Sequence, residues 1–144
     1  MKDIAVEIRE AVDAGERALT SLRSAQRELN SAKTWGVFDM LGGSWFSTLA
    51  KHSKMQNAKR SMEQARYDLK SFSDELRDVD TACDLTLETN DFLNFADWFF
   101  DGFVVDWMIQ ERIVRAGREV SEAIRLTERI TNELKASQAE PRMN

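Results

Sequence analysis

Apolar residues return along this chain with a seven-residue period in three segments. In the first, Ile8, Gly15, Leu22 and Leu29 form one row, with Ala11, Ala18, Ala25 and Ala32 beside it. The second carries Met55, Met62, Leu69, Leu76 and Cys83 alongside Ala58, Ala65, Phe72 and Val79. The third runs Phe92, Phe99, Asp106, Ile113, Val120, Thr127 and Leu134 beside Phe95, Gly102, Ile109, Ala116, Ala123 and Ile130. A seven-residue repeat keeps one stripe of an α-helix turned to a partner. The pattern therefore predicts an all-α chain, an elongated antiparallel three-helix bundle of coiled-coil-like packing. The small residues of the first segment let a neighbouring backbone approach to the near end of the usual separation of about 8–10 Å. Helices of about thirty residues measure roughly 45 Å, which makes the molecule a rod. Asp106 and Thr127 interrupt the third seam, and there it is expected to bend or leave the core.

The breaks between segments follow from turn chemistry. Gly36 after Trp35 is expected to end the first helix. Gly42-Gly43 makes a flexible corner and Ser44 a candidate N-cap, with Trp35, Phe38, Trp45 and Phe46 gathered there as an aromatic plug. Asp84 to Glu88 alternates polar and apolar residues and reads as extended, after which Asn90 or Asp91 can cap the next helix. Gly102 divides that helix, leaving a short fourth helix at 91–101. The bundle occupies residues 1–137 as one domain. A polar tail, 138–144, holds the single proline, Pro141, and is expected to fray.

Composition narrows the class. A chain of 144 residues is one ordinary domain. With 42% hydrophobic and 31% charged residues, it fits a soluble helical protein. The first thirty residues are charged throughout, so no signal peptide is expected. Phe92 to Ile109 is the most apolar stretch, but Asp97, Asp101 and Asp106 would be costly in a bilayer, so no transmembrane span is expected. One cysteine excludes an internal disulfide and suits a reducing compartment. The expected setting is cytoplasmic. A net charge of −5 gives no general attraction to nucleic acid, and without a basic amphipathic face the membrane surface is set aside as well.

The charge is concentrated in one place. Acidic and basic groups balance at six each in residues 1–34 and at seven each in 35–83. Residues 108–144 hold seven basic and six acidic groups. Residues 84–107, by contrast, contain six acidic groups, seven aromatic ones and no Lys or Arg. Aromatic side chains favour burial and carboxylates resist it, so such a stretch is either a specially built junction or a contact surface.

The stretches WGVFDMLGGSWFSTLAKHSK (Trp35 to Lys54) and FLNFADWFFDGFVVDW (Phe92 to Trp107) together resemble a family of small helical bacterial proteins of unassigned function. The resemblance spans most of the chain. It implies a fold and a cellular setting, and it brings no activity and no catalytic residue.

The residues offer little catalytic chemistry. Asp97 and Asp101 share a helical face and, with Asp106, can hold a divalent cation or keep a proton between two carboxylates. Carboxylate di-metal bundles use repeated Glu-x-x-His pairs, which this chain lacks. The plainer role for the pair is near a helix N-terminus, meeting Arg77 or Arg9. His52, the sole histidine, sits at the far end of the rod from these aspartates and can brace the corner through Asp39. Cys83 lies in an apolar row as a small buried hydrophobe. Gly42-Gly43 lacks the Lys-Ser/Thr of a phosphate loop. Arg112, Arg115, Arg118, Arg125 and Arg129 are interleaved with Glu111, Glu119, Glu122 and Glu128, which makes a salt-bridged outer face rather than a nucleic-acid stripe.

The aromatic residues divide between two faces. Phe92, Phe95 and Phe99 fit the inner seam, while Trp98, Phe100, Phe103 and Trp107 are offset from it. One slender bundle does not readily bury both, and exposed aromatic patches mark protein contacts. The expectation is a non-enzymatic helical interaction or scaffold protein, without cofactors. Its partner would be a second copy or another protein, held through residues 98–107. The alternative is a metal-dependent or small-ligand-binding helical enzyme using Asp97, Asp101 and Asp106.

Overall fold

The computed structural model describes residues 3–42, 45–82, 91–96 and 110–139, with side chains described for 3–31, 56–79, 91–96 and 116–138. Every one of these residues except Asp3 is helical and none lies in a strand, so the chain is all-α. The helices are α1 (Ile4–Gly42), α2 (Trp45–Ala82), α3 (91–96) and α4 (Gln110–Ala139). Among the described residues no helix is long and apolar enough to cross a membrane.

Asp3 starts α1. Its carboxylate accepts the Ala5 N–H at 3.3 Å, and its carbonyl accepts that of Glu7 at 3.0 Å to close the first turn. With 39 residues, α1 is about 58 Å long. Gly36, expected to end this helix, lies inside it, and the helix runs on to Gly42. One interior glycine costs about 1 kcal/mol relative to alanine, which the helical turns on either side outweigh.

The seven-residue rows form the core. Ala11, Ala18, Leu22, Ala25 and Leu29 of α1 are buried, as are Ala58, Met62, Ala65, Leu69, Phe72, Leu76 and Val79 of α2. On α4 the buried set is Ala116, Val120, Ala123, Ile130 and Leu134. Thr127, expected to divert the third seam, is fully buried, and α4 passes through it unbroken. A threonine has nearly the outline of a valine, so the seam keeps its shape and gains a hydroxyl.

Cross-helix contacts fix the directions. Ser21 of α1 donates to Asp68 of α2, and Gly15 lies beside Phe72, so α1 and α2 are antiparallel. On the other side, Glu16 pairs with Lys135, Arg23 with Glu128 at 2.9 Å, and Gln26 with Ser121 at 2.8 Å. Numbers rise on α1 as they fall on α4, so these two are also antiparallel. Both α2 and α4 therefore run the same way. An up–down–up chain would instead have set α4 parallel to α1. The end of α2 and the start of α4 lie at opposite ends of α1, with residues 83–109 between them in sequence. In that interval α3 sets Phe92 edge-on against Phe72, ring centroids 5.3 Å apart at 65°.

The two sides of α1 differ in bulk. At 100° per residue, Ala14, Ala18 and Ala25 fall within about 60° of Ser21, on the α2 side, while Ala11 and Leu29 share one line nearer Gly15. Val12 and Leu19 fall near Glu16 and Arg23, on the α4 side. Gly15 stands where the helices converge. A Cβ there would lie 3.0 Å from Phe72 Cε1 and closer still to Thr131 Oγ1. Gly15, Phe72, Phe92 and Thr131 thus bring all four helices into one layer, and the absent side chain at Gly15 is what admits Phe72 and Thr131.

Candidate functional site

The residues singled out for partner binding, Trp98, Phe100, Phe103 and Trp107, lie outside the described residues, as do Asp97, Asp101 and Asp106. So do Cys83 and Gly102, and the side chains of His52, Asp39 and the aromatic corner. What is described is the helix that leads into the aromatic stretch. In α3, Phe92 and Ala96 are fully buried, and Leu93 and Phe95 pack against the core from either side. Only Asp91 and Asn94 face solvent. Four of six residues take part in packing, so α3 is an interior element rather than a surface turn.

Arg77, suggested as a partner for Asp97 and Asp101, donates to Asp74 of its own helix at 3.3 Å. The outer face of α4 carries the expected ion pairs. Arg125 grips Glu122 with two hydrogen bonds, Nη2 to Oε1 at 2.6 Å and Nε to Oε2 at 3.1 Å. That contact holds the Glu122 carboxyl below the ordinary glutamate range and raises the Arg125 guanidinium. Arg23 on α1 reaches Glu128, so part of this face also ties α4 to its neighbour.

One group of carboxylates meets in space without being near in sequence. Glu7 and Glu10, one turn apart on α1, and Glu75 on α2 bring carboxylate oxygens within 4.8 Å of one another. Glu7 is buried, and the other two are partly so. Three oxygens at that spacing match what a hard divalent cation takes, or what carboxylates sharing a proton need. Each of the three also makes another polar interaction within the protein, which fits a surface network equally well. Sequence reasoning missed this group because the spacing from Glu10 to Glu75 carries no local signal. The only hint was Glu7, one turn before Ala11 on the packed side of α1.

Three further polar side chains sit in the interior. Ser73 is fully buried, and its hydroxyl donates to the Leu69 carbonyl at 3.0 Å. Thr127 and Thr131 are equally buried, and among the described residues neither hydroxyl has a hydrogen-bond partner, as is also so for Glu7 Oε2, Arg66 Nε and Glu75 Oε2. They lie one turn apart on α4. Val120 falls within about 20° of both, and Thr131 lies against Gly15 of α1. Among the described residues, Tyr67 is the one large apolar side chain left exposed, at 69%.

Comparison of this chain with known protein families, with characterised proteins and with solved structures finds no match, and the resemblance to small helical bacterial proteins gains no support there.

Proposed function

We propose that this chain is a non-enzymatic helical interaction or scaffold protein, self-associating through the aromatic face around Trp98, Phe100, Phe103 and Trp107. The observation that carries the reading is how little apolar surface the described helices leave over. Their seven-residue rows are spent on one another, their outer faces are charged, and Tyr67 alone is a large exposed apolar residue among them. The apolar contact area for a partner then has to come from the stretch that concentrates seven aromatic residues among six carboxylates. The carboxylates at its rim supply solubility and selectivity more than affinity. The frame proposed with it is an elongated helical bundle with an aromatic corner at Gly42-Gly43.

Native mass spectrometry and light scattering over a range of concentrations test this. A dimer or higher oligomer that dissociates with Trp107→Ala or Phe103→Asp is the expected result. A strict monomer at high concentration, or an oligomer indifferent to both substitutions, removes the self-association reading. The same spectrum reports bound metal, which the metal-dependent form of the competing use of Asp97, Asp101 and Asp106 requires, and any retained small ligand.

A further inference from the structure

We infer that the outer face of α2 is a self-contact: two copies of the chain pair there antiparallel, about a two-fold axis at Tyr67. Among the described residues Tyr67 is the one large apolar side chain left exposed, at 69%. It stands in a row with Arg60, Glu63, Lys70 and Asp74, all of them exposed. At 100° per residue these five fall within an arc of about 80°. That arc lies on the side of α2 turned away from its buried Met62, Leu69, Phe72 and Leu76.

The order of charge along the row selects the partner. It reads basic, acidic, tyrosine, basic, acidic from Arg60 to Asp74. Arg60 and Asp74 each stand seven residues from Tyr67. Glu63 and Lys70 mirror each other about it to within one residue, which is about 1.5 Å along the axis. A second copy turned end for end therefore sets Arg60 of one against Asp74 of the other, and Glu63 against Lys70. Two-fold symmetry makes each pairing twice, and the tyrosines meet at the centre. A copy running in the same direction sets Arg60 against Arg60 and Glu63 against Glu63, which repels. A uniformly charged partner, such as nucleic acid or an anionic membrane, gains nothing from a row whose two basic and two acidic groups cancel.

The charges of this row can be exchanged at little cost. Asp74 meets Lys70 at 3.9 Å and Arg77 at 3.3 Å on its own helix, but these side chains are about half to two-thirds exposed, and such pairs contribute little. On the other side of the molecule, by contrast, charges tie α1 to α4 through Glu16 with Lys135 and Arg23 with Glu128. Five residues a side is far below the roughly 20–30 of a standard interface, so the contact is weak, with Tyr67 as its anchor. It uses no residue of 98–107 and stands or falls apart from the aromatic face.

Sedimentation velocity of the full chain over a range of concentrations is the test, run on the unaltered protein and on Phe103→Asp. Thermal melts show that each variant stays folded. Tyr67→Glu should raise the dissociation constant at least about tenfold. Arg60→Glu and Asp74→Lys should each do the same, because either brings like charges together at two places. A chain carrying both regains opposite charges in the antiparallel pairing alone, and its constant should return to within about threefold of the starting value. Added salt should weaken the contact. Association indifferent to Tyr67→Glu in both proteins overturns the inference, whether the aromatic face holds or not. A double variant no better than the single ones overturns the antiparallel pairing.

Discussion

Towards α2, α1 presents Ala11, Ala14, Ala18 and Ala25 and receives Phe72, Leu76 and Val79. Towards α4 it presents Val12 and Leu19 beside the ion-paired Glu16 and Arg23, and Thr131 of α4 lies against Gly15. Both seams follow the same seven-residue rule, and in both a small row meets a larger one. They differ in which helix supplies the bulk and in what the small side is made of. Alanine gives up nothing on burial, and its short side chain lets α2 come close with its leucines and phenylalanine. Threonine also packs as a small residue, but each hydroxyl it buries without a partner subtracts from the gain. Equal periodicity therefore does not mean equal strength.

The sharpest way to break the comparison is at Phe72, which serves both seams. Its ring borders Gly15 and stacks edge-on with Phe92. Phe72→Ala should cost about 3–5 kcal/mol, seen as a lower urea midpoint with two-state behaviour tested by a second probe. A loss below about 1 kcal/mol would show that the four-helix layer is not tightly packed there.

At Gly15 a smaller effect of definite sign is expected. Alanine would gain about 1 kcal/mol in helix propensity but push against Phe72 Cε1 and Thr131 Oγ1. Overpacking of this kind costs about 1–3 kcal/mol, so Gly15→Ala should be destabilising overall by about 1 kcal/mol. Pairing it with Thr131→Ala should recover part of that loss, and the double-mutant cycle measures the contact directly. Additive losses would mean that Gly15 and Thr131 do not meet.

The smallest effect belongs to the outer face of α4, where Arg125 holds the Glu122 carboxyl below its ordinary range. A depressed carboxyl contributes stability above its unfolded pKa and loses it as pH falls through the folded value. The window is thus on the acid side, below the usual glutamate range. Both side chains are about half-exposed, so solvent screening leaves the titration itself as the readout. In Arg125→Gln the Glu122 midpoint, followed by NMR, should rise towards the ordinary value. An unmoved midpoint would place the cause elsewhere.

Much of this architecture was legible in the chain. The rows through Leu22 and Ala18, through Leu69 and Phe72, and through Val120 and Ala123 named the buried faces, because a helix buries what recurs at its own pitch. Direction was not legible. A periodic stripe looks the same read either way along a partner, so nothing in the α4 rows says that the helix opposes α1. Gly36 was read as a stop on local grounds that the longer helix overrode. Thr127 was read by its hydroxyl when its shape decided its place. Of the candidate sites, the ion-paired face of α4 was readable from the spacing of Arg125 and Glu122. The carboxylates of Glu7, Glu10 and Glu75 were not, because only the packing of α1 on α2 joins them. The aromatic residues 98–107 remain a proposal about chemistry concentrated in one stretch.

A consequence follows from the place of α1 between its two neighbours. One extra residue inside a helix turns everything beyond it by about 100°. Inserted in the middle of α1, that turn carries the alanine ridge away from α2 and Val12 or Leu19 away from α4 in one stroke. Inserted in α4, it disturbs the α4 seam and leaves the α1–α2 hairpin in register. The chain can therefore drift in length through its last helix far more readily than through its first. A one-residue insertion in the middle of α1 should thus cost more stability than one in the middle of α4.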